Sequence, residues 1–104
     1  MAKTSEPAIG IAVMQVLADE PRQTASVKTL VNRVPEFIEL TDEDLEPSLT
    51  RENEAVWEQR VRNLKSHDKT EGNVFAEGFV EYVAKGTYRL SEAGRLHLEH
   101  KGLI

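Results

Sequence analysis

The hydrophobic period of this chain changes twice, and those changes leave few folds open. Up to Ser66 the apolar residues recur at spacings of three and four, the mark of amphipathic helices. The run His67-Asp68-Lys69-Thr70-Glu71-Gly72-Asn73 reads as a polar turn. Beyond it Phe79, Glu81 and Val83 alternate with Val80, Tyr82 and Ala84, the period of two that belongs to a strand. Lys85-Gly86 makes a tight turn, and Thr87-Tyr88-Arg89-Leu90 answers as the second strand of a hairpin. From Ser91 the spacing is helical again.

Three helices are expected ahead of the hairpin. Ser5 can cap the first and Pro7 suits its first turn. Ile9, Ala12, Val13, Val16 and Leu17 then predict a helix over about Pro7–Ala18, closed by Asp19-Glu20-Pro21. Thr24 or Ser26 caps a second helix with the stripe Val27, Leu30, Val31 and Val34. Pro35 stops it, because the residue before a proline is pushed out of the helical region. Glu36 to Thr50 is an acidic connection holding Asp42, Glu43, Asp44 and Glu46, and Thr41 with Asp44 three residues on predicts a single helical turn around Leu45. The third helix is expected from near Thr50 to Ser66, and Ser91 caps a fourth, Glu92 to about Lys101. This order predicts an α+β, mainly α fold of three helices, a two-stranded β-hairpin and a C-terminal helix, as one domain over residues 1–104.

The bulk numbers exclude more than they assign. There is no cysteine, so neither a disulfide framework nor a thiolate metal site is available. The longest apolar run, Ala8 to Met14, is far short of the roughly 18 residues of a membrane span. With no signal-peptide core, a cytoplasmic location is expected. The net charge of −5 opposes nucleic-acid binding, which is driven by Lys and Arg. Its distribution softens that objection. Residues 1–59 hold five basic and twelve acidic side chains, whereas residues 60–104 hold eight basic and six acidic. Any affinity for DNA should be modest and sensitive to salt.

The third helix lies at that crossover and contains the only tryptophan. Trp57, Val61 and Leu64 form its apolar stripe, and Gln59, Arg62, Asn63 and Ser66 lie on its reverse. Anchored by one face, it offers hydrogen-bonding side chains on the other.

Tyr88-Arg89-Leu90-Ser91-Glu92-Ala93-Gly94-Arg95 resembles the strand-to-helix passage that ends the wing in winged-helix proteins. Leu90 would return to the core, Ser91 cap the helix and Gly94 allow close packing. Together with Val56-Trp57-Glu58-Gln59-Arg60-Val61-Arg62-Asn63-Leu64 and Asn73-Val74-Phe75-Ala76-Glu77-Gly78, the chain resembles the N-terminal domain of Mrr-type restriction systems over roughly Leu40 to Leu98. The resemblance implies a winged helix-turn-helix that reads the sequence or modification state of duplex DNA, normally joined to a nuclease domain. A specificity part with a nuclease partner in trans, or a small transcriptional regulator, fits the same resemblance.

In such a fold the third helix enters the major groove. At about 100° per residue, Arg51, Ala55, Gln59, Arg62, Asn63 and Ser66 lie opposite Trp57. Gln and Asn suit adenine and Arg suits guanine. Arg60, Lys65 and Lys69 flank that face as phosphate contacts, and Lys85 at the wing tip with Arg89 would track the neighbouring backbone. The competing reading of the helix is an ordinary solvated face. The acidic balance favours a second class, a winged helix used for protein–protein contact or dimerisation.

Other signals are thinner. The carboxylates of residues 42–46 lack the glycine and closing glutamate of a calcium loop and read better as a solvated acidic turn. Most of the six aromatics are expected inside, with Tyr82 left open as a stacking platform. Glu99-His100-Lys101 has the E-x-K spacing of nucleases but no upstream aspartate in a strand context, and His97 with His100 reads as helix-end histidines favoured by the dipole. No enzyme, cofactor or metal site is expected. Leu96 and Leu98 point about 200° apart. With Leu96 placed in the core beside Ala93 and Leu103, the Leu98 face becomes a candidate homodimer contact.

Overall fold

The computed structural model describes residues 5–48 and 54–104. Its elements in order are α1 (Glu6–Asp19), a 3-10 turn (Pro21–Gln23), β1 (Thr24–Ser26), α2 (Val27–Arg33), a second 3-10 turn (Val34–Glu36), α3 (Val56–Ser66), β2 (Val80–Ala84), β3 (Thr87–Leu90) and α4 (Glu92–His100). Four α-helices pack with one antiparallel sheet of strand order β1-β3-β2.

α1 is the central element. Ser5 caps it by accepting from the Ala8 N–H, and Pro7 lies in its first turn. Ile9, Gly10, Ala12, Val13, Met14, Val16 and Leu17 are all buried, more than a single stripe, because α2, α3, α4 and β3 surround this helix. Glu20 turns extended before Pro21 and ends it.

The expected two-stranded hairpin has a third strand. Thr24, Ala25 and Ser26 pair with Arg89, Tyr88 and Thr87. The sequence marks these residues as caps, and Ser26 is one, its hydroxyl accepting from the Thr29 N–H. A residue ahead of a helix has extended backbone, however, and extended backbone can also pair as a strand. Ser26 (φ −79°, ψ 160°) does both. Arg22 and Gln23 adopt left-handed backbone (φ 58° and 54°) to bring the chain from α1 into this strand.

α2 stops at Arg33, and Val34, fully buried, enters the core from the following 3-10 turn around Pro35. The single turn around Leu45 is present and held reciprocally: the Thr41 N–H donates to Asp44 Oδ2 at 2.9 Å and the Asp44 N–H to Thr41 Oγ1 at 3.2 Å. The acidic stretch is therefore not wholly solvated, since Asp44 is fully buried.

α3 begins at Val56 rather than near Thr50. Ala55 is extended and bridges Pro47, and Thr50 lies outside the described residues. α4 carries a second correction. Leu98 is fully buried, whereas Leu96 is 43% exposed, so the proposed Leu98 dimer face is core. The register follows from Gly94, which packs against the Phe79 backbone and the Leu90 side chain and turns Leu98, one helical turn on, inward.

Candidate nucleic-acid interface

Ala55 has no side-chain acceptor, so the first N–H groups of α3 are satisfied by backbone carbonyls from the preceding turn. Val56 donates to Glu46 O at 2.8 Å and Trp57 to Asp44 O at 3.1 Å. Trp57, Val61 and Leu64 anchor the helix in the core. At the far end, buried Asn73 donates from Nδ2 to Leu64 O at 2.9 Å and fixes the exit from α3.

The outward face is partly engaged by its own chain. Ser48 Oγ donates to Gln59 Oε1 at 2.5 Å, and Arg62 Nε donates to Glu54 at 3.0 and 3.1 Å. Lys65 Nζ meets Asp68 Oδ2 at 2.7 Å and stands 5.2 Å from the centre of the Tyr82 ring. The hydrogen bond that Lys65 donates to Asp68 raises the Lys65 pKa and lowers that of Asp68. Burial pushes the Tyr88 hydroxyl upward, opposed by the positive charges of Lys65 and Arg62. These relations bring the C-terminal turns of α3 and the inner face of the hairpin into one surface.

The other residues singled out in the sequence are distributed around this centre. Asn63 is half-buried, and Ser66 and Lys69 are exposed at the end of α3. Arg60 lies about 140° around the helix from Lys65, so the two phosphate candidates flank opposite sides. Its Nε is buried and has no hydrogen-bond partner among the described residues. Lys85 is exposed at the turn, where Gly86 supplies a positive φ of 73°. Arg89 is not brought to the group. It pairs with Glu81 at 3.3 Å, and the strand alternation sets both on the opposite hairpin face from Tyr82 and Tyr88. Arg51 lies outside the described residues.

Of the aromatics, Trp57 and Tyr88 are buried and Phe75 and Phe79 half-buried, while Tyr82 is 48% exposed. Spacing alone could not reveal its partnership with Lys65, which joins residues from two elements. The exposed Val83 beside it lies at a register shift in β2. The pairing of Ser48 and Glu54 with the helix face is not visible in the sequence, because it depends on the chain returning beside α3 at the Pro47–Ala55 bridge.

On α4, Glu99 pairs with Arg95 at 2.5 Å, and His97 stacks on Phe79 with centroids 4.3 Å apart. Among the described residues no group of three or more His, Asp or Glu could hold a metal ion. No helix among them is long and apolar enough to cross a membrane.

Fold and surface together define a small α+β domain in which cations paired with carboxylates and an exposed tyrosine meet between a helix and a hairpin. The model of the Mrr N-terminal domain family matches residues 8–100, and the chain belongs to that family. Comparison with curated proteins and with solved structures returns no match. Membership associates the chain with restriction-system-like proteins.

Proposed function

We propose that this chain is a non-enzymatic DNA-binding module of the winged helix-turn-helix class, cytoplasmic, and the specificity part of a restriction or defence system whose nuclease acts beside it. α3 enters the major groove and the β2–β3 hairpin serves as the wing. The observation that carries this reading is Lys65, which ties the last turn of α3 to Tyr82 on the hairpin so that both present one surface. β1 supports it mechanically, since it ties the hairpin to the start of α2 and so limits how the wing can swing. Arg62, Asn63 and Ser66 supply base-edge contacts, and Lys65, Lys69 and Lys85 supply phosphate contacts.

Cations already paired with carboxylates gain less from phosphate than free ones, so binding is modest and salt-dependent. Titration of short duplexes, with and without modified bases, at increasing salt tests the reading. Lys65→Ala with Lys69→Ala is expected to weaken binding to every duplex and to reduce the salt slope by about 1 to 2, the pairing of Lys65 with Asp68 keeping it below the value for two free lysines. Failure to bind any duplex at low salt overturns it. The second reading, a protein-contact module, is favoured by the net charge of −5 and by exposed Tyr82 and Val83 on the edge strand β2. Its signature is a partner complex that survives high salt.

A further inference from the structure

Arg62 is held by one edge of its guanidinium. Nε donates to both carboxylate oxygens of Glu54, and the Glu54 side chain is 15% exposed against 39% for Arg62. The anchor is thus the more buried partner and the arginine the outward one. Among the described residues, the terminal Nη1 and Nη2 groups of Arg62 donate to nothing. A guanidinium fixed through Nε still presents this terminal pair as a planar fork. That fork matches the O6 and N7 acceptors of guanine in the major groove.

The charge of the pair argues the same way. Pairing with Glu54 weakens the pull of Arg62 on a phosphate, as Asp68 does for Lys65, but leaves the geometry of the guanidinium intact. Its spare donors keep their directional value against a base edge. Lys65 and Lys69 differ. Lysine is a compact point charge without a fork, and Lys69 is exposed at the end of the helix.

We propose that Arg62 is the specificity-determining residue of the interface, reading guanine through its Nη pair, and that Glu54 is its positioning residue. The proposal rests on the DNA-binding reading above. It adds a base identity and a role for a carboxylate that would otherwise only repel DNA.

The test is selection of bound sequences from a randomised duplex pool with the full chain. The selected duplex is then titrated beside copies in which each guanine in turn is replaced. Wild type is expected to select a site with one guanine whose replacement costs roughly 5- to 150-fold in affinity. Arg62→Ala should abolish that preference, and because it leaves Glu54 uncompensated it should also weaken binding to scrambled duplex. Arg62→Lys, which keeps the charge but loses the fork, should lose the preference too, and it decides the matter if the alanine variant fails to fold. Glu54→Gln should lower the guanine ratio even as the lost negative charge raises affinity for every duplex.

A guanine preference that survives in Arg62→Lys would make Arg62 a charge contact without base readout and overturn the proposal. So would a Glu54→Gln variant that binds all duplexes more tightly at an unchanged guanine ratio, since Glu54 would then be a competitor only. Wild-type binding with no guanine preference removes the proposal but leaves the DNA-binding reading standing. An absence of binding to any duplex removes both.

Discussion

The carboxamide of Asn73 is buried where α3 meets the approach to the hairpin, and each of its bonds is to backbone. Nδ2 donates to Leu64 O at 2.9 Å, and Oδ1 accepts from Phe75 N at 2.7 Å and from Ala76 N at 3.3 Å. Asn73→Ala leaves the buried Leu64 carbonyl and two part-buried N–H groups unmet, and a buried group left so costs about 1–3 kcal/mol. A loss of at least about 2 kcal/mol is expected in urea denaturation, with an unchanged slope. Asp68 belongs to the same scale. It occupies the ammonium that the proposed interface would offer to phosphate, so Asp68→Asn should tighten duplex binding at low salt. An equal or weaker affinity would show that the pair serves only to close the turn after α3.

Among the elements, α4 makes the sharpest prediction. A Cβ on Gly94 would overlap the Phe79 carbonyl oxygen and lie 2.6 Å from Leu90 Cδ1, and backbone cannot move aside cheaply. Gly94→Ala is expected to cost about 1–3 kcal/mol by overpacking, read from chemical denaturation. Leu98→Asp should unfold the domain and Leu96→Asp should be tolerated, as far-ultraviolet circular dichroism of the two would reveal. Helix and strand existence was legible in the sequence because the period shows it directly, and Ser5, Ser26 and Ser91 cap the helices they precede. The rest depended on contacts distant in sequence. β1 is too short to show alternation and forms only because β3 arrives to pair with it. The choice between Leu96 and Leu98 is set by what Gly94 touches. The candidate surface was legible as a list of polar residues on α3, but not the carboxylates that hold them, which come from separate turns.

Across the whole molecule, acidic side chains are organised around a few cations. Arg33 binds Asp19 and Glu20 at 2.6 Å each and Glu36 at 3.1 Å, joining the ends of α1 and α2. This hydrogen bonding lowers the Glu36 pKa from its ordinary 4.5, as the bond from Lys65 lowers that of Asp68 from 3.8. A carboxyl group with a depressed folded pKa contributes stability above its unfolded value and loses it as the pH falls through the folded one. The melting temperature should therefore be level near neutrality and fall below about pH 4.5. Arg33→Met should lower it at neutral pH and shrink the further drop in acid. A drop of the same size in wild type and variant would assign the acid lability elsewhere.

The pairing of β1 with β3 also sets a timetable. Thr24 and its partner Arg89 stand 65 positions apart. At about 5–20 residues per second of synthesis, β1 waits roughly 3–13 seconds for the strand that completes it. Throughout that interval Ala25 has no sheet neighbour, and α1 lacks the cover of β3 and α4. The nascent chain therefore passes through a stage in which its central helix is made but still uncovered. A ribosome-bound fragment ending before Thr87 should remain protease-sensitive at α1, and protection should appear cooperatively once β3 has emerged.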